Sequence, residues 1–165
     1  MSNLKCSAQA RGVLETMIQL IDDQRDAWAV AEDVAGFIGT SQAMLWRELV
    51  IEDIEEEHTL SEDYIFTLSW SSGGPAAYAI SLEPETRIRG SFVAMSVFRP
   101  EHLPPLENAK GQAYFLLHSP EDFIPISHAE QARDELRDHG AVTEILIYEG
   151  GHGWRGDVYG NLRRG

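Results

Sequence analysis

Cysteine is almost absent from this sequence. Cys6 is the only one in 165 residues, so no internal disulfide can form and no multi-cysteine zinc site can be built. Its place near the start of the chain reads as an incidental thiol. Long apolar runs are also lacking: nothing approaches the ~20 consecutive apolar residues of a membrane span, and the opening residues, MSNLKC, lack the apolar core of a secretory signal. The expectation is a soluble, cytoplasmic chain with no membrane span. Basic residues are scarce, 13 against 27 acidic, for a formal net charge of −14. Such a surface repels phosphate backbones, so no nucleic-acid partner is expected, and an anionic membrane is disfavoured for the same reason. Neither G-x-x-x-x-G-K-[ST] nor H-E-x-x-H occurs. His118, Asp122, His128 and His152 lack the spacing of metal ligands, and neither a cofactor nor a metal is expected.

What is present suits a single globular domain. The apolar fraction is 43%, and chains of this size bury roughly 70% of their unfolded surface. The texture changes near residue 60. Before it, Val13, Leu14, Met17, Ile18 and Ile21 recur at helical spacing, as do Trp28, Ala31, Val34 and Ala35. Thr40 or Ser41 is placed to cap a further helix from about Gln42 to His58. The acidic run at 52–57 reads as a solvated face of that helix. We expect residues 1–60 to form a helical segment packing on a sheet built by residues 61–165.

Four apolar runs of strand length follow: Tyr64–Leu68, Ile88–Val97, Ala113–His118 and Thr143–Tyr148. Helical patterns at Pro75–Leu82 and Ser127–His139 separate most of them, and a proline-rich loop spans Phe98 to Gly111. Strands alternating with helices define an α/β fold, here with a partly parallel sheet of about four strands and flanking helices joined by right-handed crossovers. The near-continuous apolar character of the runs predicts strands covered on both faces.

The chemistry is concentrated in SWSSGGP, residues 69–75, where a strand runs into a glycine turn and then a helix. A hydroxyl becomes a useful nucleophile when a base takes its proton and backbone N–H groups stabilise the oxyanion that develops. A strained strand-to-helix turn of the form G-x-S-x-G presents it so. Ser71 holds the central position and Gly73 the last; Ser69 stands where a glycine is usual. A capping serine or a backbone anion cradle would give a similar local sequence. The nucleophile reading calls for an acid and a histidine just beyond later strand ends. Asp122 in HSPEDFIP and His152 in YEGGHGW each lie four residues beyond a predicted strand. Ser71 would attack a carbonyl carbon, His152 would take and return the proton, and Asp122 would orient the imidazole. Trp70 and Trp154 flank these positions and either line an apolar substrate pocket or serve as ordinary core aromatics.

The stretches FTLSWSSGGPAAYA, YFLLHSPEDFIP and LIYEGGHGWRG, in this order and with intervals of 51 and 30 residues between Ser71, Asp122 and His152, resemble the carboxyl-terminal half of an α/β-hydrolase. Within that superfamily, the segment from about Ala43 to Gly165 is similar to the phospholipase/carboxylesterase and dienelactone-hydrolase group of bacterial esterases. The resemblance implies a reduced α/β-hydrolase fold with Ser71 as nucleophile, Asp122 as acid and His152 as base, and it adds the backbone N–H of Ser72 as an oxyanion donor. Spacing and this likeness favour Asp122 over Glu121 and Glu101. The implied activity is a serine hydrolase cleaving small-molecule carboxylic esters through an acyl-enzyme. The front strands of such a fold, with the glycine-rich loop that supplies a second oxyanion donor, have no counterpart before residue 60; AGFIGTS at 35–41 is the nearest glycine pair. The expectation is therefore a hydrolase whose front is replaced by helices, or a fragment of a longer one. The alternatives are an impaired, truncated hydrolase acting as a binding or interaction protein, and a peptidase or thioesterase using the same three residues. Four strands leave an edge that the amino-terminal helices or a homodimer could protect.

Overall fold

The structure is a computed structural model that describes residues 51, 54–56, 58–61 and 65–165. The chain divides into two compact units, Met1–Leu60 and Ser61–Gly165. The helices expected before residue 50, the 35–41 stretch and Cys6 lie outside the described residues.

The second unit is a four-stranded sheet in the order β1-β2-β3-β4, with β1 at Phe66–Trp70, β2 at Gly90–Ala94, β3 at Ala113–His118 and β4 at Val142–Ile147. Every neighbouring pair is parallel, so the sheet is wholly rather than partly parallel. Helix α1 (Gly74–Ser81) follows β1, α2 (Ser127–Asp138) precedes β4, and α3 (Val158–Arg164) ends the chain. Pro75 sits in the first turn of α1, where its missing N–H costs nothing.

One face of the sheet carries the main core. Ala77, Tyr78 and Leu82 from the α1 region and Ala132 and Leu136 of α2 pack with Val93, Tyr114 and Leu116 of the strands. Ala129, Ala132 and Leu136 recur at three- and four-residue spacing, which puts them on one stripe of α2 facing the sheet. The other face differs from expectation. Phe66 and Leu68 of β1 are 53% and 61% exposed, so among the described residues nothing covers this face of β1. Among the described strands it lies at the edge, and its residues alternate between half-buried and exposed. Farther along that face, the end of α3 reaches the middle strands, where Gly165 lies against Phe92 and Phe115.

Other departures have local causes. Strand β1 begins later than expected and runs to Trp70, which pairs with Ala94; the turn therefore starts at Ser71, not Ser69. Strand β2 stops at Ala94 because Met95 takes a left-handed backbone, φ 49°, which no extended strand contains. The proline-rich connection is more than a surface loop: it forms two short 3-10 turns, Pro100–His102 and Leu106–Ala109, and buries Phe98 and Ala109 in the core. Helix α3 was not expected. Its signal is Asp157, whose side chain accepts the N–H of Gly160 at 2.8 Å, an N-cap that satisfies one orphan donor of the first turn.

Candidate active site

Ser71 follows directly on β1 and opens a 3-10 turn, Ser71–Gly73, that leads into α1. Its φ is 54°, a conformation a non-glycine residue adopts only at an energetic cost and typically where a side chain must be presented. Gly74, rather than Gly73, is the glycine this turn requires for packing. A Cβ at Gly74 would fall 2.0 Å from Ser96 Oγ and 2.4 Å from its Cβ, whereas one at Gly73 would meet only Ser69 Cβ at 3.5 Å. The Ser69 hydroxyl turns aside to the Phe92 carbonyl at 3.3 Å.

The fold brings Ser71, Asp122 and His152 together. His152 Nε2 lies 2.8 Å from Ser71 Oγ, and His152 Nδ1 lies 2.9 Å from each carboxylate oxygen of Asp122. An ionised carboxylate only accepts, so Nδ1 carries the proton and Nε2 is left as an acceptor for the serine hydroxyl. The Asp122 side chain is fully buried and that of His152 is 17% exposed. Asp122 Oδ1 also accepts the Ile124 N–H at 2.8 Å, which fixes the carboxylate from its own loop. The Ser72 N–H belongs to the first turn of the segment leading into α1, where backbone donors have no intrahelical partner and the helix end favours negative charge.

Two aromatic rings flank the imidazole. Trp70, at the end of β1, has its ring centroid 5.1 Å from that of His152. Phe123, which sequence reasoning missed, is closer at 4.3 Å and is 60% exposed. Its only sequence signal is adjacency to Asp122. Trp154 lies instead beside Phe92, with centroids 6.4 Å apart. Three of the other histidines are engaged elsewhere. His118 is buried and its Nε2 donates to the Ile124 carbonyl at 3.1 Å; His128 Nδ1 lies 3.1 Å from the Phe98 carbonyl; His139 Nδ1 donates to the Glu135 carbonyl at 2.8 Å. Among the described residues no three His, Cys, Asp or Glu side chains are grouped to hold a metal ion, and no helix is long and apolar enough to cross a membrane.

A parallel sheet whose first described strand passes through a left-handed serine into a helix, with an acid beyond the end of β3 and a histidine beyond the end of β4, has the architecture of an α/β-hydrolase, in reduced form. The chain matches no protein-family model and no curated protein. Solved structures of α/β-hydrolases do match. A carboxylesterase from Bacillus cereus superposes with a TM-score of 0.61 at 17% identity, over 74% of this chain and 58% of that one. An esterase from Thermogutta terrifontis, solved with propionate bound, gives 0.60 at 16%, over 76% and 61%. Arabidopsis thaliana SOBER1 gives 0.58 at 20%, over 75% and 60%. The match thus spans about three fifths of the length of these structures.

Proposed function

We propose that this chain is a serine hydrolase that cleaves small carboxylic esters through an acyl-enzyme on Ser71. The carrying observation is the continuous relay from Ser71 Oγ through His152 to the buried Asp122, at 2.8 and 2.9 Å, with the serine held at φ 54°. In this reading Ser71 Oγ attacks the ester carbonyl carbon as its proton passes to His152 Nε2. Asp122 holds the ring and stabilises the imidazolium without itself being protonated. The oxyanion forms against the Ser72 N–H. Collapse of the intermediate expels the alcohol, which takes the proton from His152. Water activated by the same imidazole then attacks the acyl-enzyme, releasing the acid and restoring Ser71. Trp70 and Phe123 offer apolar walls beside the imidazole for the substrate, with Trp154 farther off beside Phe92. The esterase names of the matching structures support this reading at the level of reaction class.

A fluorophosphonate probe tests it. The parent protein should be labelled covalently and Ser71→Ala should not be. With nitrophenyl esters, Asp122→Asn should lower kcat by about 10⁴-fold, because the asparagine amide favours the wrong imidazole tautomer. A folded parent that neither labels nor turns over esters rejects the proposal and favours a binding role on the same scaffold.

A further inference from the structure

His152 is carried by a loop, and a catalytic imidazole is only as well placed as the backbone beneath it. The backbone N–H groups on both sides of His152 are held by side chains from elsewhere in the fold. The Gly151 N–H donates to Ser119 Oγ at 3.1 Å, and the Gly153 N–H is shared between Met95 Sδ at 3.2 Å and the Gly151 carbonyl of its own loop at 3.1 Å. Ser119 is fully buried and Met95 is 1% exposed. Met95 directly follows β2 and Ser119 directly follows β3, while the His152 loop follows β4. Three parallel strands therefore converge on one loop.

Ser119 does a second thing. Its Oγ also accepts the Glu121 N–H at 3.2 Å, and its carbonyl accepts the Asp122 N–H at 3.1 Å. One hydroxyl thus joins the loop bearing the carboxylate to the loop bearing the imidazole. Met95 holds its place at φ 49°, a backbone conformation unfavourable for a side chain of this size. The Tyr148 hydroxyl lies 3.0 Å from Met95 Sδ and 3.0 Å from the Gly151 carbonyl, and it also reaches the Gly153 carbonyl. Gly151 itself is at φ 62°, which lets its N–H turn toward Ser119 at no steric cost.

We propose that Ser119 and Met95 are positioning residues that fix His152 from both sides through its neighbours' N–H groups, Ser119 also setting the Asp122 loop against the His152 loop. The proposal rests on reading Ser71, His152 and Asp122 as a hydrolytic relay. Neither residue is assigned a contact with the reacting atoms; both act through backbone.

The test uses Ser119→Ala, Met95→Leu and their double variant in the full chain. Leucine conserves the buried volume of methionine while removing its acceptor. Three readouts apply: the rate of Ser71 phosphonylation by a fluorophosphonate, the pH profile of that rate, and the low-field proton resonance of the His152–Asp122 hydrogen bond. Each single variant should slow phosphonylation roughly tenfold, less than the roughly hundredfold cost of a misplacement of about 1 Å. The profile midpoint should move to lower pH as the carboxylate stabilises the imidazolium less, and the resonance should broaden. Ser119→Thr, which retains the hydroxyl, should recover both profile and resonance. Rates, midpoint and resonance that stay at parent values in folded variants overturn the proposal, as does a slower rate with an unmoved midpoint and a sharp resonance. If Ser119→Ala does not fold, Met95→Leu decides by the same readouts. If the parent is not phosphonylated, the hydrolase reading fails, and the resonance alone decides whether the two anchors place His152.

Discussion

Buried at the end of β3, the His118 ring has one satisfied nitrogen and one orphan. Nε2 donates to the Ile124 carbonyl, so Nδ1 is the unprotonated nitrogen, and among the described residues it has no hydrogen-bond partner. Burial holds the pKa of His118 below the ordinary value of 6.5. Asp122 and Glu130 pull it up, and His128 and His152 push it down further. The folded state therefore keeps this ring neutral where the unfolded chain takes up a proton. The corresponding stability is fully present above pH 6.5 and is lost as pH falls from there through the folded-state value. The loss can be no steeper than about 1.4 kcal/mol per pH unit for one proton. His118→Gln should lower stability at pH 8, where packing is disturbed, yet lose less on acidification. In urea melts across pH 8 to 5 the gap between parent and variant should narrow below 6.5. Parallel curves would show that His118 does not titrate on unfolding.

At the scale of elements, α1 and the strands beneath it are joined by a polar network as well as by apolar packing. Ser81 Oγ lies 3.0 Å from the Tyr78 carbonyl and 2.9 Å from the Tyr114 hydroxyl, and Tyr114 donates to Gln112 Oε1 at 3.0 Å. Gln112 Nε2 returns to the Ser81 carbonyl. Burial pushes the Tyr114 hydroxyl up to about 12, partly offset by Ser81, so it remains a donor across the accessible range. Tyr114→Phe leaves Gln112 Oε1 without that donor inside the core and should cost about 1–3 kcal/mol in denaturant unfolding. A loss near zero would mean that water replaces the hydroxyl. This network also shows what a sequence conceals. That Ser71, Asp122 and His152 would meet was legible, because the proposed relay demands a residue type at a fixed place relative to a strand end. Ser119, Met95, Tyr148 and Phe123 carried no such mark. Ser119 reaches Gly151 across 32 positions and Met95 reaches Gly153 across 58, and nothing in the periodicity of either segment encodes the meeting. The exposure of Phe66 and Leu68 was hidden for a related reason. An apolar run states that a strand prefers burial, not which of its faces is covered.

Over the whole molecule the governing quantity is charge. A net −14 on 165 residues sets up a negative potential through which any substrate must diffuse. One of the carboxylates in that count, Asp122, is buried in the relay itself. Trp70 and Phe123, the rings beside the imidazole, carry no charge to offset that field. Under the proposed esterase activity, esters bearing a carboxylate should therefore be poorer substrates than neutral esters of the same shape, and the deficit should be a matter of encounter rather than chemistry. Salt separates the two. The Debye length falls from about 30 Å at 0.01 M to about 8 Å at 0.15 M, so long-range repulsion fades while contacts at the reacting carbon do not. For a nitrophenyl ester ending in a carboxylate, kcat/KM should rise severalfold over that range with kcat little changed. Its neutral, methyl-capped analogue should stay flat. A deficit that persists at high salt would place the discrimination in the pocket walls instead of in the field of the protein.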